Sequence, residues 1–180
     1  YLELTDKEVL DEICQDVSCI IHLAALNAAS CKENPEKAHI VNSLGTYKLL
    51  ESANKANVDK FIYFSTAHVY GSPLKGKLDE KSKTLPTHPY SITHKLAEDY
   101  VLEATKSTSI KGTIFRLSNA VGSPIVKETN CWMLVVNDLA KQIVTTGKMI
   151  FRSSKNELRD FLPISDVCNA ISYEIERKNK

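Results

Sequence analysis

The sequence predicts an α/β fold, in which crossover helices join the strands of a parallel sheet. Three short apolar runs, 19–25, 61–65 and 113–117, have the length and composition of buried strands. Segments with the periodicity of amphipathic helices separate these runs. The alternation becomes irregular after about residue 125, so we expect two parts, 1–125 and 126–180. At 180 residues, the chain is long enough for a substantial core.

Helices in the first part are expected over 7–15, 35–56 and 90–106. Thr5 or Asp6 can cap the first helix. Pro35 fits the first turn of the second, and Gly45 within it indicates close packing against a neighbour. The lysine-rich segment 72–89 is expected to be an exposed loop.

The second part is expected to be less regular. Its predicted elements are a loop over 118–130, a helix over 131–145, short strands over 149–151 and 158–162, and a last helix ending near 176. Ser165 or Asp166 can cap that last helix.

Composition and charge exclude several classes of function. The net charge is +1 with acidic and basic residues interleaved, so no nucleic-acid-binding face is expected. No apolar run approaches the roughly 20 residues of a membrane span, and no secretory signal begins the chain. The scattered cysteines indicate reduced thiols in a cytoplasmic protein, without a metal site. They are Cys14, Cys19, Cys31, Cys131 and Cys168.

Small or polar residues lie at the end of each expected strand. They are Ala24 and Ala25, Ser65 and Thr66, and Ser118 and Asn119. Carboxyl ends of parallel strands meet at one edge of a sheet, where α/β proteins bind ligands. Polar residues end many strands, so one such pair alone indicates little. Three strand ends of this kind together favour a shared ligand crevice.

A tyrosine begins the helix predicted over 90–106. Tyr90 and His94 are four residues apart and therefore lie on one helix face. Lys95 lies about 140° round the helix from Tyr90, so His94 is better placed to support the tyrosine. A tyrosine with a base, opposite the hydroxyls at 65–66, suits proton transfer to and from an alcohol. Tyrosine followed by a basic residue is common, so the spacing alone does not establish catalysis.

Six short motifs occur in order along the chain, at 20–25, 41–53, 64–71, 89–98, 116–124 and 159–167. Together they resemble those of the extended short-chain dehydrogenase/reductases in the NAD-dependent epimerase/dehydratase family, which act on nucleotide sugars. The resemblance covers nearly the whole chain, and six ordered motifs are far more specific than any one of them.

The resemblance implies a Rossmann-type parallel sheet, incomplete at both ends, with part of a smaller substrate lobe. Residues 1–125 would be the C-terminal part of the dinucleotide-binding domain. Residues 126–180 would be part of the substrate lobe and the return to the sheet. The family's Gly-rich turn would precede Tyr1, because the chain contains no G-x-G-x-x-G. The 180 residues alone would then lack the family's pyrophosphate cradle.

The family's roles transfer to matching positions of this sequence. The catalytic group would comprise Thr66, Tyr90 and His94. The cofactor contacts would come from Ala24, Ala25, Ser65, Tyr90 and His94. The substrate contacts would come from Thr66, Asn119 and Arg159. His22 and Asn42 are interpreted as structural.

His94 departs from the family pattern, which has lysine four residues after the tyrosine. Assigning the role to Lys95 would leave Ser91 in place of the tyrosine and would spoil the spacing to Glu98. A lysine cation lowers the pKa of the tyrosine and anchors the cofactor ribose. A histidine is mostly neutral at neutral pH and helps less.

The resemblance implies epimerisation of a nucleotide sugar at C4 by transient oxidation to a keto-sugar. The cofactor would be NAD or NADP, with NAD preferred, and the protein would be a homodimer through the helices over 35–56 and 90–106. Dehydratases of the family carry Asp-Glu after the catalytic threonine, where this chain has Ala67 and His68. The alternatives are a keto-sugar reductase and a catalytically silent nucleotide-sugar or dinucleotide-binding protein, which His94 supports.

Overall fold

The computed structural model describes residues 3–126, 128–129, 131–151 and 158–177. It divides into two compact units, Tyr1–Arg116 and Leu117–Lys180. Both units contain helices and parallel strands, which confirms the α/β prediction.

The first unit alternates strands with helices. Its elements are α1 (Lys7–Ile13), β1 (Cys19–His22), α2 (Ala28–Glu33), α3 (Pro35–Ala38), a π-helical segment (His39–Leu44), α4 (Gly45–Lys55), β2 (Lys60–Thr66), a 3-10 turn (Ala67–Tyr70), α5 (Pro89–Ser107) and β3 (Lys111–Leu117). Of the two caps considered for α1, Asp6 fills the position, and its carboxylate accepts from the backbone of Glu8 and Val9.

The three strands form a sheet in the order β1-β2-β3. β1 and β2 are parallel, with Cys19 opposite Lys60 and His22 opposite Tyr63. β2 is the central strand and is mostly buried. The carboxyl ends of β1 and β2 therefore reach the same edge of the sheet, as the sequence predicts.

An apolar core holds this unit together. Side chains of α1, α4, β2 and α5, and of the segments next to these elements, form it: Leu4, Leu10, Cys14, Leu49, Leu50, Ala53, Val58, Phe61, Tyr63, Ala97, Val101, Ala104 and Ile110. α5 packs on β2, on α4 and on the π-helical segment. This packing fixes the first turns of α5 against the carboxyl end of β2.

The helix predicted over 35–56 is present as α3, the π-helical segment and α4 in direct succession. Asn42 lies in the π-helical turn. A Cβ on Gly45 would lie 2.7 Å from the Cβ of Leu4, so the close packing expected at this glycine is confirmed. The wider turn is a local change of backbone hydrogen bonding that amphipathic periodicity does not reveal.

The region after β1 differs from its prediction. The strand ends at His22, not at residue 25, and α2 forms over residues that the sequence suggested only as a small-residue stretch. Asn27 starts this helix, because its side chain accepts from the backbone of Ser30. The backbone of Leu26 donates to the side chain of Asn42 at 2.7 Å, which turns the chain away from the sheet.

The second unit contains β4 (Asn119–Val121), α6 (Val135–Thr146), β5 (Phe161–Pro163) and α7 (Ile164–Glu176). β4 lies in the predicted loop 118–130 and pairs in parallel with β5, so this loop prediction is wrong. No strand forms over 149–151. α7 begins at Ile164 without a side-chain cap, so neither Ser165 nor Asp166 caps it. The three-residue pairing arises from contacts distant in sequence, which local patterns do not contain.

Candidate active site

The N-terminus of α5 places a tyrosine at the edge of the sheet. The side chain of His88 accepts from the backbone of Ser91 at 3.4 Å, and Ser91 Oγ accepts from the backbone of His88 at 3.3 Å. This reciprocal cap and Pro89 at the first helical position start the helix. Tyr90 therefore lies in the first turn, where the packing of α5 holds it.

Tyr90 and Thr66 come together at this edge. Thr66 ends β2 and is buried. Burial raises the pKa of the Tyr90 hydroxyl, whereas its hydrogen bond with the Thr66 side chain lowers it. The two hydroxyls predicted for proton transfer thus lie near each other at this edge of the sheet, and their catalytic roles stay a prediction.

His94 lies one helical turn below Tyr90, as its spacing predicts. The two rings meet edge to face, with centroids 4.5 Å apart. The His94 side chain is buried, and its Nδ1 lies 2.7 Å from the hydroxyl of Tyr63 on β2. Burial, with a smaller contribution from His22, lowers the pKa of His94 to about 4. The imidazole is therefore neutral at neutral pH and supplies no cation to Tyr90.

The other nitrogen of the His94 ring has no partner among the described residues. Nε2 is buried, and no described donor or acceptor lies within hydrogen-bonding distance of it. A buried polar group without a partner carries a desolvation cost of about 1–3 kcal/mol. His94 therefore holds one unused polar atom beside the tyrosine.

His22 and Asn42 are held in a buried hydrogen-bonded network. Thr46 Oγ1 donates to the Asn42 carbonyl at 2.7 Å, so it accepts from His22 Nε2 at 2.9 Å. The Asn42 side chain in turn donates to Thr93 on α5. Burial lowers the pKa of His22 to about 4. These contacts agree with a structural role for both residues.

Two small exposed residues lie at the same edge of the sheet. Ala24 and Ala25 follow β1 and are exposed. The hydrogen bond from Leu26 to Asn42 fixes the chain immediately after them. A short side chain at each position leaves the backbone accessible to a bound molecule, but contact with a cofactor stays a prediction.

Ser65 has a buried charged partner. Its hydroxyl donates to the carboxylate of Glu98 at 2.5 Å. Arg116 on β3 donates two hydrogen bonds to the same carboxylate, of 2.9 and 2.8 Å. A third guanidinium nitrogen of Arg116 donates to the Tyr70 hydroxyl at 2.9 Å. The Ser65 proton is thus committed to the protein. The predicted cofactor contact of Ser65, which remains untested, would use its other atoms.

Two more histidines surround Tyr90. The ring of His68, in the 3-10 turn after Thr66, lies 5.5 Å from that of His88 and 6.4 Å from that of Tyr90. His88 and Tyr90 are stacked at 6.2 Å. Desolvation, followed by the neighbouring His88, lowers the pKa of His68. The rings of His68, His88 and His94 thus lie around the tyrosine, and the described ring contacts of Tyr90 include no lysine or arginine.

The predicted substrate residues lie in the second unit. Asn119 begins β4, where its side chain donates to the backbone carbonyl of Asp160 at 2.9 Å. Asn119 is opposite Phe161 in the parallel pair, and Arg159 lies two residues before Phe161. Arg159 is exposed. The β4–β5 pairing thus brings the two predicted residues into one region of this unit.

Sequence reasoning missed three contacts that the structure places beside the site. Tyr63 is hydrogen-bonded to His94, and Glu98 binds both Ser65 and Arg116. Tyr63 and Ser65 are two apart on a strand and so share a face, while His94 and Glu98 are four apart and share a helix face. These periodicities provide a signal for the pairs Tyr63–His94 and Ser65–Glu98. Local patterns do not provide the register that matches them.

The described part of the chain contains no helix that is long and apolar enough to cross a membrane. Residues 3–126, 128–129, 131–151 and 158–177 contain no group of three or more acidic, histidine or cysteine side chains that could hold a metal ion. None of the five cysteines forms a disulfide with another described residue.

Comparison with known sequences matches the whole chain to one family. The sequence model of the NAD dependent epimerase/dehydratase family matches residues 1–180. A putative UDP-glucose 4-epimerase of Methanocaldococcus jannaschii is 29% identical over 99% of this chain and 59% of its own length. The dTDP-D-glucose 4,6-dehydratase of Homo sapiens is 33% identical over 72% of this chain and 36% of its own length. The chain thus spans less than two thirds of the length of each of these relatives.

Solved structures agree with the sequence relatives. The UDP-glucuronic acid 4-epimerase from Bacillus cereus, solved in complex with UDP-glucuronic acid and NAD, superimposes with a TM-score of 0.80. It is 26% identical, and the match covers 94% of this chain and 53% of that one.

Proposed function

From the premise that this chain belongs to the NAD-dependent epimerase/dehydratase family, we propose that it is part of a nucleotide-sugar C4 epimerase. The reaction is transient oxidation at C4 followed by return of hydride to the opposite face of the keto-sugar. Relatives named as UDP-sugar 4-epimerases support this choice. Ala67 and His68, at the positions where the family's dehydratases carry an acidic pair, also support it.

One observation carries the proposal. The Thr66 side chain lies close enough to the Tyr90 hydroxyl, at the carboxyl edge of the sheet, to lower its pKa. Two neighbouring hydroxyls at such an edge can hold the oxygen of one substrate alcohol between them and move its proton. A structural tyrosine would need neither the partial exposure nor the position at the sheet edge that Tyr90 has.

The residues at this edge fit a nicotinamide dinucleotide. His94 Nε2 is a buried nitrogen without a partner among the described residues, and a ribose hydroxyl would satisfy it. Exposed Ala24 and Ala25 allow a flat ligand to approach the backbone. We propose these residues, with Ser65 and Tyr90, as the cofactor contacts of the chain. NAD is preferred over NADP, and NAD accompanies the UDP-sugar in a similar solved structure.

Bound NAD would supply the reversible acceptance of a hydride from the sugar carbon. Tyr90 takes the proton from the C4 hydroxyl as the carbon is oxidised and gives it back when the carbonyl is reduced. Thr66 hydrogen-bonds the same oxygen and holds it against Tyr90. The raised pKa of Tyr90 means that its base form requires alkaline pH or a nearby positive charge.

The second unit would hold the diphosphate of the nucleotide sugar. Arg159 presents a guanidinium whose planar fork suits a phosphate. Asn119 lies across the β4–β5 pair from the strand that follows Arg159. We propose both as substrate contacts.

Two observations bear on the alternatives. The neutral, buried His94 lacks the fixed cation of the family's lysine, which favours a catalytically silent binding protein over an enzyme. The dehydratase among the relatives shows that the match does not single out epimerisation. A keto-sugar reductase with the same residues would consume reduced cofactor, whereas an epimerase would not.

We also propose a homodimer in the cytoplasm, through α3–α4 and α5. Tyr47 and Tyr100 meet across α4 and α5 with ring centroids 5.1 Å apart, beside a shallow groove of about 140 Å³. Leu44 and Leu102 are also exposed on these helices. A second copy would cover this apolar face, and the free cysteines suit a reducing compartment.

The direct experiment is to identify what the complete protein containing this chain binds. The protein is purified without added ligand, denatured, and its released small molecules are identified by mass spectrometry. We expect NAD and a nucleotide sugar. Incubation with nucleotide sugars then separates the alternatives: an epimerase interconverts the sugars without net cofactor change, a reductase consumes NADH or NADPH, and a binding protein does neither.

A further inference from the structure

Tyr63 on β2 is the only described side chain within hydrogen-bonding distance of His94. Both residues are buried, with 1% and 3% of their surfaces exposed. Their hydrogen bond of 2.7 Å joins the Tyr63 hydroxyl to His94 Nδ1. The pair therefore has a definite direction of donation, which decides the protonation of the imidazole.

Counting donors and acceptors settles that direction. If His94 Nδ1 donated to the Tyr63 oxygen, the phenol proton and the bare Nε2 would both be buried without a described partner. If Tyr63 donates to Nδ1, only the proton on Nε2 is buried without a described partner. Burying fewer unsatisfied groups costs less free energy. Burial also raises the pKa of Tyr63 strongly, so its hydroxyl keeps the proton that it donates.

We propose that Tyr63 is a positioning residue that holds His94 as the neutral tautomer protonated on Nε2, so that the imidazole presents one fixed N–H donor beside Tyr90. The two ring nitrogens point in different directions, and Nδ1 is anchored on β2. Nε2–H is thereby directed away from Tyr63. An uncharged donor at this place binds a hydroxyl oxygen, and on the proposed function that oxygen belongs to the ribose of the cofactor.

Through this hydrogen bond, Tyr63 on β2 determines which ring nitrogen of His94 on α5 carries the proton. Without the Tyr63 hydroxyl, Nδ1 has no described partner, and the two neutral tautomers of His94 become closer in free energy. The donor on Nε2 would then be present for only part of the time. Tyr63→Phe keeps the ring packed in the core while removing the one atom that fixes the tautomer.

The test uses ¹⁵N-histidine-labelled complete protein, whose NMR shifts report which ring nitrogen carries the proton. The signal of His94 is assigned by its loss in His94→Phe. We expect Nε2 to be protonated and Nδ1 bare in the wild type near neutral pH, with a shift towards the Nδ1-protonated form in Tyr63→Phe. The control is Tyr173→Phe, which removes an exposed phenol in the second unit and should leave the His94 signal unchanged.

Calorimetry with NAD gives the second readout. Tyr63→Phe should weaken NAD binding about three- to tenfold, the size expected for one hydrogen bond. It should have no further effect in a His94→Phe background, because it acts through the imidazole. A His94 protonated on Nδ1 in the wild type, an unchanged tautomer in Tyr63→Phe, or equal weakening in the His94→Phe background would overturn the inference. The NMR result requires no cofactor, so wild-type protein that binds no NAD contradicts the proposed function, while the tautomer alone still decides the role of Tyr63.

Discussion

His94 stands in contact with two tyrosines of different roles, Tyr63 in the core and Tyr90 at the sheet edge. The spacing of Tyr90 and His94 was predictable, because residues four apart share a helix face. The loss of charge was also expected from the histidine itself. The size of the pKa shift of His94 was not predictable, because it comes from burial and from His22 on β1. Both causes depend on tertiary packing.

Replacing His94 by lysine tests the electrostatic part of this account. His94→Lys should raise turnover at neutral pH in the complete protein or move its pH optimum downward. A fixed cation one turn from Tyr90 favours the phenolate, whereas the neutral imidazole does not. The measurement is the pH profile of kcat for both proteins.

A matched substitution at Lys95, which pairs with Asp99 on the outer side of α5, controls for the change of charge on the helix. Lys95→Met should leave the profile in place. If His94→Lys is slower than wild type at every pH while its fold is intact, histidine has a specific role that lysine does not replace.

The buried histidines also predict a dependence of stability on pH. The pKa values of His22 and His94 fall to about 4 in the folded protein from an ordinary value of 6.5. The unfolded chain therefore binds more protons between these values, and the free energy of unfolding should fall as the pH drops from about 6.5 towards 4. Above about pH 6.5 the two groups contribute no such dependence.

Urea unfolding near pH 7 and near pH 5 measures this effect. In His94→Phe the loss of stability between the two pH values should be smaller than in wild type by on the order of 2 kcal/mol. His39→Gln, at an exposed position, should match the wild type. An undiminished loss in His94→Phe would show that His94 is not the buried neutral group described here.

At the scale of elements, the sequence predicts those whose pattern is local and misses those made by distant contacts. The helix predicted over 35–56 and the strand predicted over 61–65, which the structure extends to Lys60–Thr66, follow from amphipathic and apolar runs. β4 was missed because its three residues are defined by pairing with β5. The start of α7 was misplaced because β5 leads directly into it, without the side-chain cap that the sequence offered.

Hydrogen bonds of Glu98 with Ser65 and Arg116 join α5 to β2 and β3, and this contact keeps Tyr90 in position. Glu98 is fully buried, and Arg116 holds it bidentately. Removing one partner of a buried pair leaves the other charge uncompensated, which costs about 3–5 kcal/mol. Arg116→Met should therefore lower the free energy of unfolding by that amount in a denaturant titration.

The exposed pair Lys95–Asp99 on the same helix provides the comparison. Lys95→Met should cost less than about 1 kcal/mol, as exposed ion pairs do. If both substitutions lowered the free energy of unfolding equally, the Glu98–Arg116 contact would not be what joins α5 to β3.

At the scale of the molecule, the family and the α/β architecture were predictable because six motifs and the alternation of strands and helices agree. The position of the proposed catalytic pair was predictable in part: strand ends and helix starts meet at the edge of a parallel sheet, which brings Thr66 near Tyr90. The Tyr63–His94 and Ser65–Glu98–Arg116 contacts were not. They depend on how α5 is tilted and spaced over the sheet, and the linear pattern of each element is compatible with several such registers.

The Gly-rich turn that binds the pyrophosphate in this family is absent from the 180-residue sequence, which has six glycines and no G-x-G-x-x-G. These 180 residues alone should therefore not bind NAD tightly, because backbone N–H groups of that turn supply much of the phosphate binding. Isothermal calorimetry on the 180-residue chain measures this directly. Micromolar binding would mean that the crevice beside Ala24, Tyr90 and His94 holds the cofactor without the turn.

The central claim is that Tyr90 and Thr66 hold the C4 oxygen of a nucleotide sugar and move its proton, while bound NAD would accept the C4 hydride and return it. The most direct test is to incubate the complete protein with UDP-hexoses deuterated at C4 and to analyse the products by NMR. We predict an inverted C4 that keeps its deuterium, because the same hydride leaves and returns, and a rate on the order of 10²–10⁴ lower for folded Tyr90→Phe. A protein that forms no epimer, an epimer without deuterium at C4, or an unchanged rate in Tyr90→Phe would contradict the account.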